Sequence, residues 1–184
     1  MKRYWIASAL VIPVGLLLYF WHERAVDASL TDDFATWPPS PAAILASVGP
    51  VPAHPGKEDI HDARHKQFAA LFQKRYRDHT PAVAVGLHFL SPHMIKLLTP
   101  ARMETYNIDR IAVSAWHESK VAFGHEFDID IYETFLSLAP VKIGTLRPTP
   151  NKADLASINY DYPALNRTRS LPRGTVLDSR STND

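Results

Sequence analysis

The pattern of apolar and polar residues separates an uncharged amino-terminal run from a longer amphipathic part. Residues 4–21 read YWIASALVIPVGLLLYFW and carry no charge. An unbroken helix of this length spans about 27 Å, close to the roughly 30 Å of bilayer hydrocarbon. Tyrosine and tryptophan lie near both ends of the run, where the headgroup interfaces favour them. The run therefore predicts a membrane-spanning helix over residues 4–21, with the lipid bilayer as its partner.

The charges before the run predict its orientation. Lys2 and Arg3 precede it, and positive residues stay on the cytoplasmic side. We therefore expect the amino terminus in the cytoplasm and the rest of the chain outside it, in a periplasm or lumen. The alternative is a cleaved signal peptide, which needs a shorter apolar core and small residues at the cleavage site. The core is long and ends in bulky aromatics, so we interpret residues 1–26 as an uncleaved signal anchor.

Proline dominates the next segment, residues 27–56, which holds six prolines. Such spacing is typical of a semi-rigid, extended tether. One short helix is predicted inside it, because Ser40 suits an N-cap, Pro41 the first helical position and Gly49 the position after the end.

The apolar pattern of residues 57–162 predicts one α+β domain outside the cytoplasm. A long helix is expected over residues 57–78, with acidic residues at its start and basic residues at its end, as the helix dipole favours. Its apolar stripe consists of Ile60, Phe68, Leu71 and Phe72. The helix is expected to pack on a small, mostly antiparallel sheet.

The remaining elements of the domain follow from shorter patterns. Residues 82–90 and 141–146 are predicted as strands, and Ser91-Pro92 is predicted to open a helix that ends at Leu98. Residues 110–116 and 121–131 alternate between apolar and polar, which predicts an antiparallel hairpin. Residues 163–184 hold few apolar residues and are predicted to be disordered.

Composition excludes several kinds of function. The chain has no cysteine, which excludes disulfides, thiolate metal sites and a cysteine nucleophile. A net charge of +1 gives no electrostatic basis for nucleic-acid binding, so no nucleic-acid partner is expected. The sequence contains no phosphate-binding loop and no dinucleotide fingerprint. We therefore predict no cofactor.

Histidine is the one residue type in excess, with nine in the chain. His61 and His65 lie four apart on the predicted helix, so both rings would share a face and form a candidate metal pair, with His54 or Glu58 as a third ligand. The alternative is that both rings cover the edge of the core. Glu126, Asp128 and Asp130 alternate along a predicted strand and form a second candidate, either a Ca²⁺ or Mg²⁺ site or the solvated face of the sheet.

The fragment IAVSAWHES, residues 111–119, ends in Glu118-Ser119. If residues 110–118 were helical, it would resemble the segment of peptidoglycan lytic transglycosylases in which a catalytic Glu stands in a Glu-Ser pair at a helix end. The Gly-Leu-Met-Gln segment that follows in that family is absent. The likeness covers fewer than a dozen residues, and it assigns no catalytic residue here.

Two hypotheses for function result. The first is a single-pass, membrane-anchored interaction or assembly module with a protein partner in the membrane or envelope. The second is a small membrane-tethered hydrolase with a histidine-based metal site. The arrangement of the histidines and carboxylates in the fold distinguishes the two.

Overall fold

A computed structural model describes residues 17–18, 21–22, 24–25, 39–135, 139–150, 155–161 and 175–178. Most of the predicted anchor 4–21, the first part of the tether and most of the tail lie outside these residues. Within the described ranges, no helix is both long and apolar enough to cross a bilayer.

From Pro39 onward, the described chain forms three helices and a sheet. The helices are α1 (Pro41–Val48), α2 (Ala63–Arg77) and α3 (Thr105–Phe123). The strands are β1 (Gly86–Ser91), β2 (Met94–Pro100), β3 (Asp128–Thr134), β4 (Val141–Pro148), β5 (Leu155–Tyr160) and β6 (Thr175–Asp178).

The strands lie side by side in chain order, β1 to β6. The β2–β3 pair is parallel and the other four pairs are antiparallel. A parallel pair needs a long crossover connection, and α3 provides it. The protein is thus an α+β fold with helices packed on a mixed sheet, which confirms the predicted class.

The short helix predicted inside the tether is confirmed as α1. The Ser40 side chain accepts a hydrogen bond from the Ala43 amide at 3.3 Å, and Gly49, with φ of +88°, follows the last helical residue. Ile44 and Val48 are buried in the common core. The described half of the predicted tether is therefore packed against the domain, because these two side chains need an apolar partner.

The long helix is confirmed in type, but it begins at Ala63 and not at residue 57. The Asp62 carboxylate caps it by accepting from the His65 amide at 2.8 Å. Phe68 and Phe72 are buried as predicted, whereas Leu71 is 38% exposed. Ile60 lies before the helix, so the buried stripe is shorter than the sequence pattern indicates.

The helix predicted after Ser91-Pro92 is wrong. These residues lead into the turn between β1 and β2, where Ser91 pairs with Met94, and the chain continues as a strand. Ser-Pro is favoured both at helix starts and in β-turns, so the dipeptide alone does not distinguish them. Buried Ile95, Leu97 and Thr99 alternate with more exposed residues along β2, as a half-buried strand requires.

The hairpin predicted over residues 110–131 is also wrong. Residues 105–123 form α3, and only the second half of the predicted second strand is extended, as β3. Twelve residues of α3 are buried and most of them share one broad face, while Asp109, Arg110, His117 and Lys120 lie on the other side. Residues 111–116 are buried without a break. Over so short a stretch the 3.6-residue period does not show, and the chance alternation of Ile111, Val113 and Ala115 imitates a strand. Gly124 ends α3 in the left-handed conformation, with φ of +77°.

The end of the chain contains two further strands. The predicted strand at residues 141–146 is confirmed as β4, and β5 pairs with it. Thr175–Asp178 pairs with β5 inside the segment predicted to be disordered, and the rest of that segment lies outside the described residues.

Candidate functional site

A groove opens between the three helices. Its cavity measures about 90 Å³, well below the roughly 300–1,000 Å³ of pockets for drug-sized ligands. It is lined by Pro39, Ala43, Ile44, Ser47, Val48, Phe68, Leu71, Phe72, Arg75 and Glu118. The exposed Leu71 extends this mostly apolar lining to the surface. The groove therefore has room for about one side chain and is too small for a drug-sized molecule.

The polar end of the groove is an ion pair between α2 and α3. Arg75 Nη1 donates to Glu118 Oε1 at 2.6 Å, and Nη2 donates to Oε2 at 2.8 Å. Ser114 Oγ also donates to Oε1, at 2.6 Å. Glu118 is 2% exposed, while the Arg75 side chain is 28% exposed. Both carboxylate oxygens thus have hydrogen-bond partners, and a bidentate pair of this kind fixes geometry strongly.

The ionisable residues of α2 beside this carboxylate do not exchange protons near neutral pH. Burial by itself lowers the pKa of Arg75, but the hydrogen bonds and charge of Glu118 outweigh it and raise the pKa. Burial raises the pKa of Tyr76 well above its usual value, and the negative charge of Glu118 adds to this. A general acid or base needs a pKa near the working pH. Arg75 and Tyr76 therefore suit structure and binding, not proton transfer.

The helix that the transglycosylase likeness requires is present, because α3 covers residues 110–118. Glu118 nevertheless differs from a general acid. Arg75 and Ser114 donate hydrogen bonds to both of its oxygens, so neither oxygen is free to bind a substrate. The likeness thus extends to local secondary structure and gives no support for a catalytic Glu118.

The two histidines of the candidate metal pair lie in different surroundings. His61 is exposed in the turn before α2, so it does not share a helix face with His65. His65 is 1% exposed, its ring stacks on Phe123 with centroids 4.3 Å apart, and its Nδ1 lies 2.8 Å from Asp62 Oδ1. No group of three or more histidines and carboxylates in the described ranges is placed to hold a metal ion. The pair stays a prediction, without a third ligand in that part of the chain.

The alternating carboxylates also have protein partners. Glu126 accepts from Trp116 Nε1 at 2.6 Å and pairs with Lys120 at 2.7 Å. Asp128 pairs with Arg147. Asp130 pairs with Lys142 at 2.8 Å and accepts from Thr145 Oγ1 at 3.3 Å. Each carboxylate is thus neutralised by a basic side chain, which supports the interpretation as a polar sheet face rather than a Ca²⁺ or Mg²⁺ site.

A second, partly buried polar cluster joins the α1–α2 connection to the far end of α3. His125 Nε2 lies 3.9 Å from Glu58 Oε2, and the two side chains are 12% and 11% exposed. These two atoms, and Glu58 Oε1, are buried without a hydrogen-bond partner. The His93 ring lies 5.0 Å from the His125 ring, edge to face. We call Glu58, His93 and His125 the His–Glu cluster.

A partly buried carboxyl, that of Asp109, links α3 to the sheet. The Tyr160 hydroxyl donates to Asp109 Oδ1. Burial raises the pKa of Asp109 to about 6, although the hydrogen bond from Tyr160 acts in the opposite direction. Asp109 therefore titrates just below neutral pH.

Comparisons with known proteins give no relative of this chain. No protein-family model matches it, and no curated protein and no solved structure is similar to it.

Sequence patterns did not indicate the residues that form these clusters. Arg75 and Glu118 are 43 positions apart, and Glu58, His93 and His125 come from three separate connections. No spacing rule joins residues at such separations. In the sequence, only the Glu-Ser likeness points to Glu118, and only the spacing of a possible third metal ligand points to Glu58.

Proposed function

We propose that the chain is a single-pass, membrane-anchored interaction or assembly module whose domain lies outside the cytoplasm. The groove between α1, α2 and α3 is its contact surface for a protein partner in the membrane or envelope. The uncharged run 4–21 with Lys2 and Arg3 before it supports the anchor and its orientation.

The main support for a binding function is the ion pair at the end of the groove, in which protein donors already occupy both oxygens of Glu118. An enzyme site needs a polar group that is free to act on a substrate, whereas both oxygens of Glu118 are occupied by protein donors. The rest of the lining is mainly apolar, and the cavity is small. Apolar depressions with a fixed polar edge are typical of places where a partner inserts one anchoring side chain.

The exposed edge of the groove indicates the chemistry of the partner. The basic side chains in the last turn of α2 already have acidic partners within the chain, since Arg75 pairs with Glu118, and Lys74 and Arg77 pair with Asp78. Leu71 lies one turn earlier on the same helix and is exposed at the groove. We therefore expect a partner segment that presents an aliphatic side chain to Leu71 and to the apolar part of the groove lining. No specific observation favours the hydrolase hypothesis over this one.

The proposal is tested with the full chain in its own membranes. A photo-crosslinking residue that replaces Leu71 should capture one protein in stoichiometric yield. The same residue in place of Leu90, which is 46% exposed on β1, is the matched control. Leu71→Asp should abolish the complex and leave the thermal melt unchanged, while Leu90→Asp should leave both unchanged.

Two outcomes would contradict the proposal. One is equal capture from both positions, because the groove would then have no special role. The other concerns the anchor: a reporter fused after Asp184 that is active only in the cytoplasm would show that the proposed orientation is wrong.

A further inference from the structure

We propose that the His–Glu cluster binds one divalent metal ion of the zinc type. Glu58 and His125 are the two ligands already placed to meet the ion, and His93 is the third. The ion would join the connection between α1 and α2 to the β1–β2 turn and to the end of α3. The inference goes beyond the proposed function, because it needs no protein partner and none of the three residues lines the groove.

The main support comes from buried acceptors that no donor reaches. Glu58 Oε1, Glu58 Oε2 and His125 Nε2 are buried without a hydrogen-bond partner. Glu58 Oε2 and His125 Nε2 lie 3.9 Å apart, which is too far for a hydrogen bond between them. Buried charges in proteins are paired or coordinate metals, since a bare carboxylate otherwise loses its hydration without compensation. A cation between the two side chains would satisfy both of them.

The His125 ring is held in the form that binds metals. Its Nδ1 lies 3.1 Å from the Glu126 carbonyl oxygen, so the proton of the neutral ring is on Nδ1 and the lone pair is on Nε2. A hydrogen bond of this kind from the second nitrogen is typical of metal-ligating histidines. Burial lowers the pKa of His125, although the Glu126 carbonyl and the charge of Glu58 act in the opposite direction. The ring is therefore neutral near pH 7, as a metal ligand must be.

The separation of the two ligand atoms is close to that of two ligands on one ion. Zn²⁺ binds imidazole nitrogen and carboxylate oxygen at about 2.0–2.2 Å, so a tetrahedral site holds two such atoms about 3.4 Å apart. Glu58 Oε2 and His125 Nε2 are 3.9 Å apart. The last torsion of a glutamate side chain is soft, so a small rotation of Glu58 removes the difference.

His93 lies near the two ligands but is not turned towards them. Its ring is 5.0 Å from the His125 ring, at an interplanar angle of 77°. The described ranges thus contain no group of three side chains already arranged around a metal. The His93 side chain is exposed, so it rotates quickly and can bring a ring nitrogen towards Glu58. We therefore expect the site to close around the ion when it binds.

The connection between α1 and α2, residues 49–62, is built to lie close to His93, and we call it the strap. Gly56, two residues before Glu58, has φ of +80°, and a Cβ there would lie 2.8 Å from His93 Cε1, so only glycine fits. Gly124, at the end of α3, has φ of +77°, and a Cβ there would lie 2.5 Å from a side chain of the strap. These two close approaches keep the three ligands of the site in one place.

The donor set selects the kind of ion. One carboxylate and two imidazoles suit Zn²⁺, whereas Ca²⁺ and Mg²⁺ prefer oxygen ligands. Three protein ligands leave the fourth tetrahedral position to water. Because the ligands come from three separate connections, binding of the ion would stabilise the packing of the strap on the domain.

Zinc titration of the full chain in detergent tests the site. The chain is prepared without a histidine tag and freed of metal with a chelator. Isothermal titration calorimetry at about pH 7.5 should then give one Zn²⁺ per chain, and Ca²⁺ should give no binding. Hydrogen exchange, read by mass spectrometry, locates the ion. At free Zn²⁺ of about ten times the dissociation constant, peptides of the strap should gain about tenfold protection, and peptides of β4 should change less.

Two ligand variants separate metal binding from folding. Glu58→Gln removes the charge and should weaken Zn²⁺ binding more than about tenfold. Its amide can donate to His125 Nε2, so without metal this variant should melt no lower than the parent. His93→Asn should also weaken Zn²⁺ binding, whereas His88→Asn, at another exposed position, should leave it unchanged. A residue with a merely structural role would not lower the affinity while the melting temperature is kept.

Three results would overturn the inference. The absence of stoichiometric binding at micromolar Zn²⁺ would show that a proton or a water molecule fills the space between Glu58 and His125. Unchanged affinity in Glu58→Gln or His93→Asn would assign the ion to other residues, and loss of binding in His61→Ala would assign it to the pair predicted from the sequence. Equal zinc protection of the strap and of β4 would show that the ion is not bound at the strap.

Discussion

Glu118 and Glu58 are both mostly buried carboxylates at junctions between helices, but their surroundings differ. Glu118 has donors on both oxygens, two from Arg75 and one from Ser114. Glu58 has no hydrogen-bond partner for either oxygen, and its nearest ionisable neighbour, His125, lies 3.9 Å away. At the Glu118 junction both carboxylate oxygens have hydrogen-bond donors, whereas at the Glu58 junction neither oxygen has one.

The difference separates a structural contact from a conditional one. A buried carboxylate whose oxygens all have donors holds two elements together, and removing its partner is strongly destabilising. A buried acceptor that faces another acceptor costs free energy until a proton or a donor reaches it. We therefore expect the contact of Arg75 with Glu118 to hold its elements together more strongly than the contact of His125 with Glu58.

The largest expected effect comes from breaking the complete junction. Arg75→Ala leaves the Glu118 carboxylate buried without its cation, and this should lower the free energy of unfolding by about 3–5 kcal/mol. Arg77→Ala, two residues on, removes an exposed cation and should change it by less than about 0.5 kcal/mol. Urea unfolding of both variants measures the difference. Equal losses would show that the junction does not hold α2 on α3.

A smaller effect is expected at the buried histidine between the two junctions. His65→Ala removes a ring that stacks on Phe123 and bonds to Asp62, and should cost about 2 kcal/mol or more. His61→Ala removes an exposed ring and should cost less than about 0.5 kcal/mol. Thermal melts of the two variants, recorded with and without a chelator, give the ordering. If both cost the same and only without a chelator, the two histidines share a metal.

The smallest expected effect is a gain at the incomplete junction. Glu58→Gln supplies an amide donor for His125 Nε2 and should raise the free energy of unfolding by about 0.5–1.5 kcal/mol near pH 7.5. Glu58→Ala removes the carboxylate without supplying a donor and should gain less. Chemical unfolding of the two variants against the parent tests this. A loss of stability in Glu58→Gln would mean that the carboxylate has a partner that an amide does not replace.

Local signals along the chain predicted part of this fold. Ser40, Pro41 and Gly49 predicted α1 because capping depends on adjacent residues only. The stripe of α2 was predicted because Phe68 and Phe72 face one core while the opposite side stays polar. The same reasoning failed for α3, since residues 111–116 are all buried and this short stretch does not show the period that identifies a helix.

The sequence alone determined the α+β class, the helix α1, the buried phenylalanines of α2 and the absence of thiolate chemistry. The tertiary structure decided that α3 is a helix, that Arg75 neutralises Glu118, and that Glu58 meets His125 and not His61. The physical reason is the distance along the chain over which each kind of signal acts. Caps, periodicity and composition act over a few residues, whereas pairing of buried charges depends on which distant segments share one desolvated space.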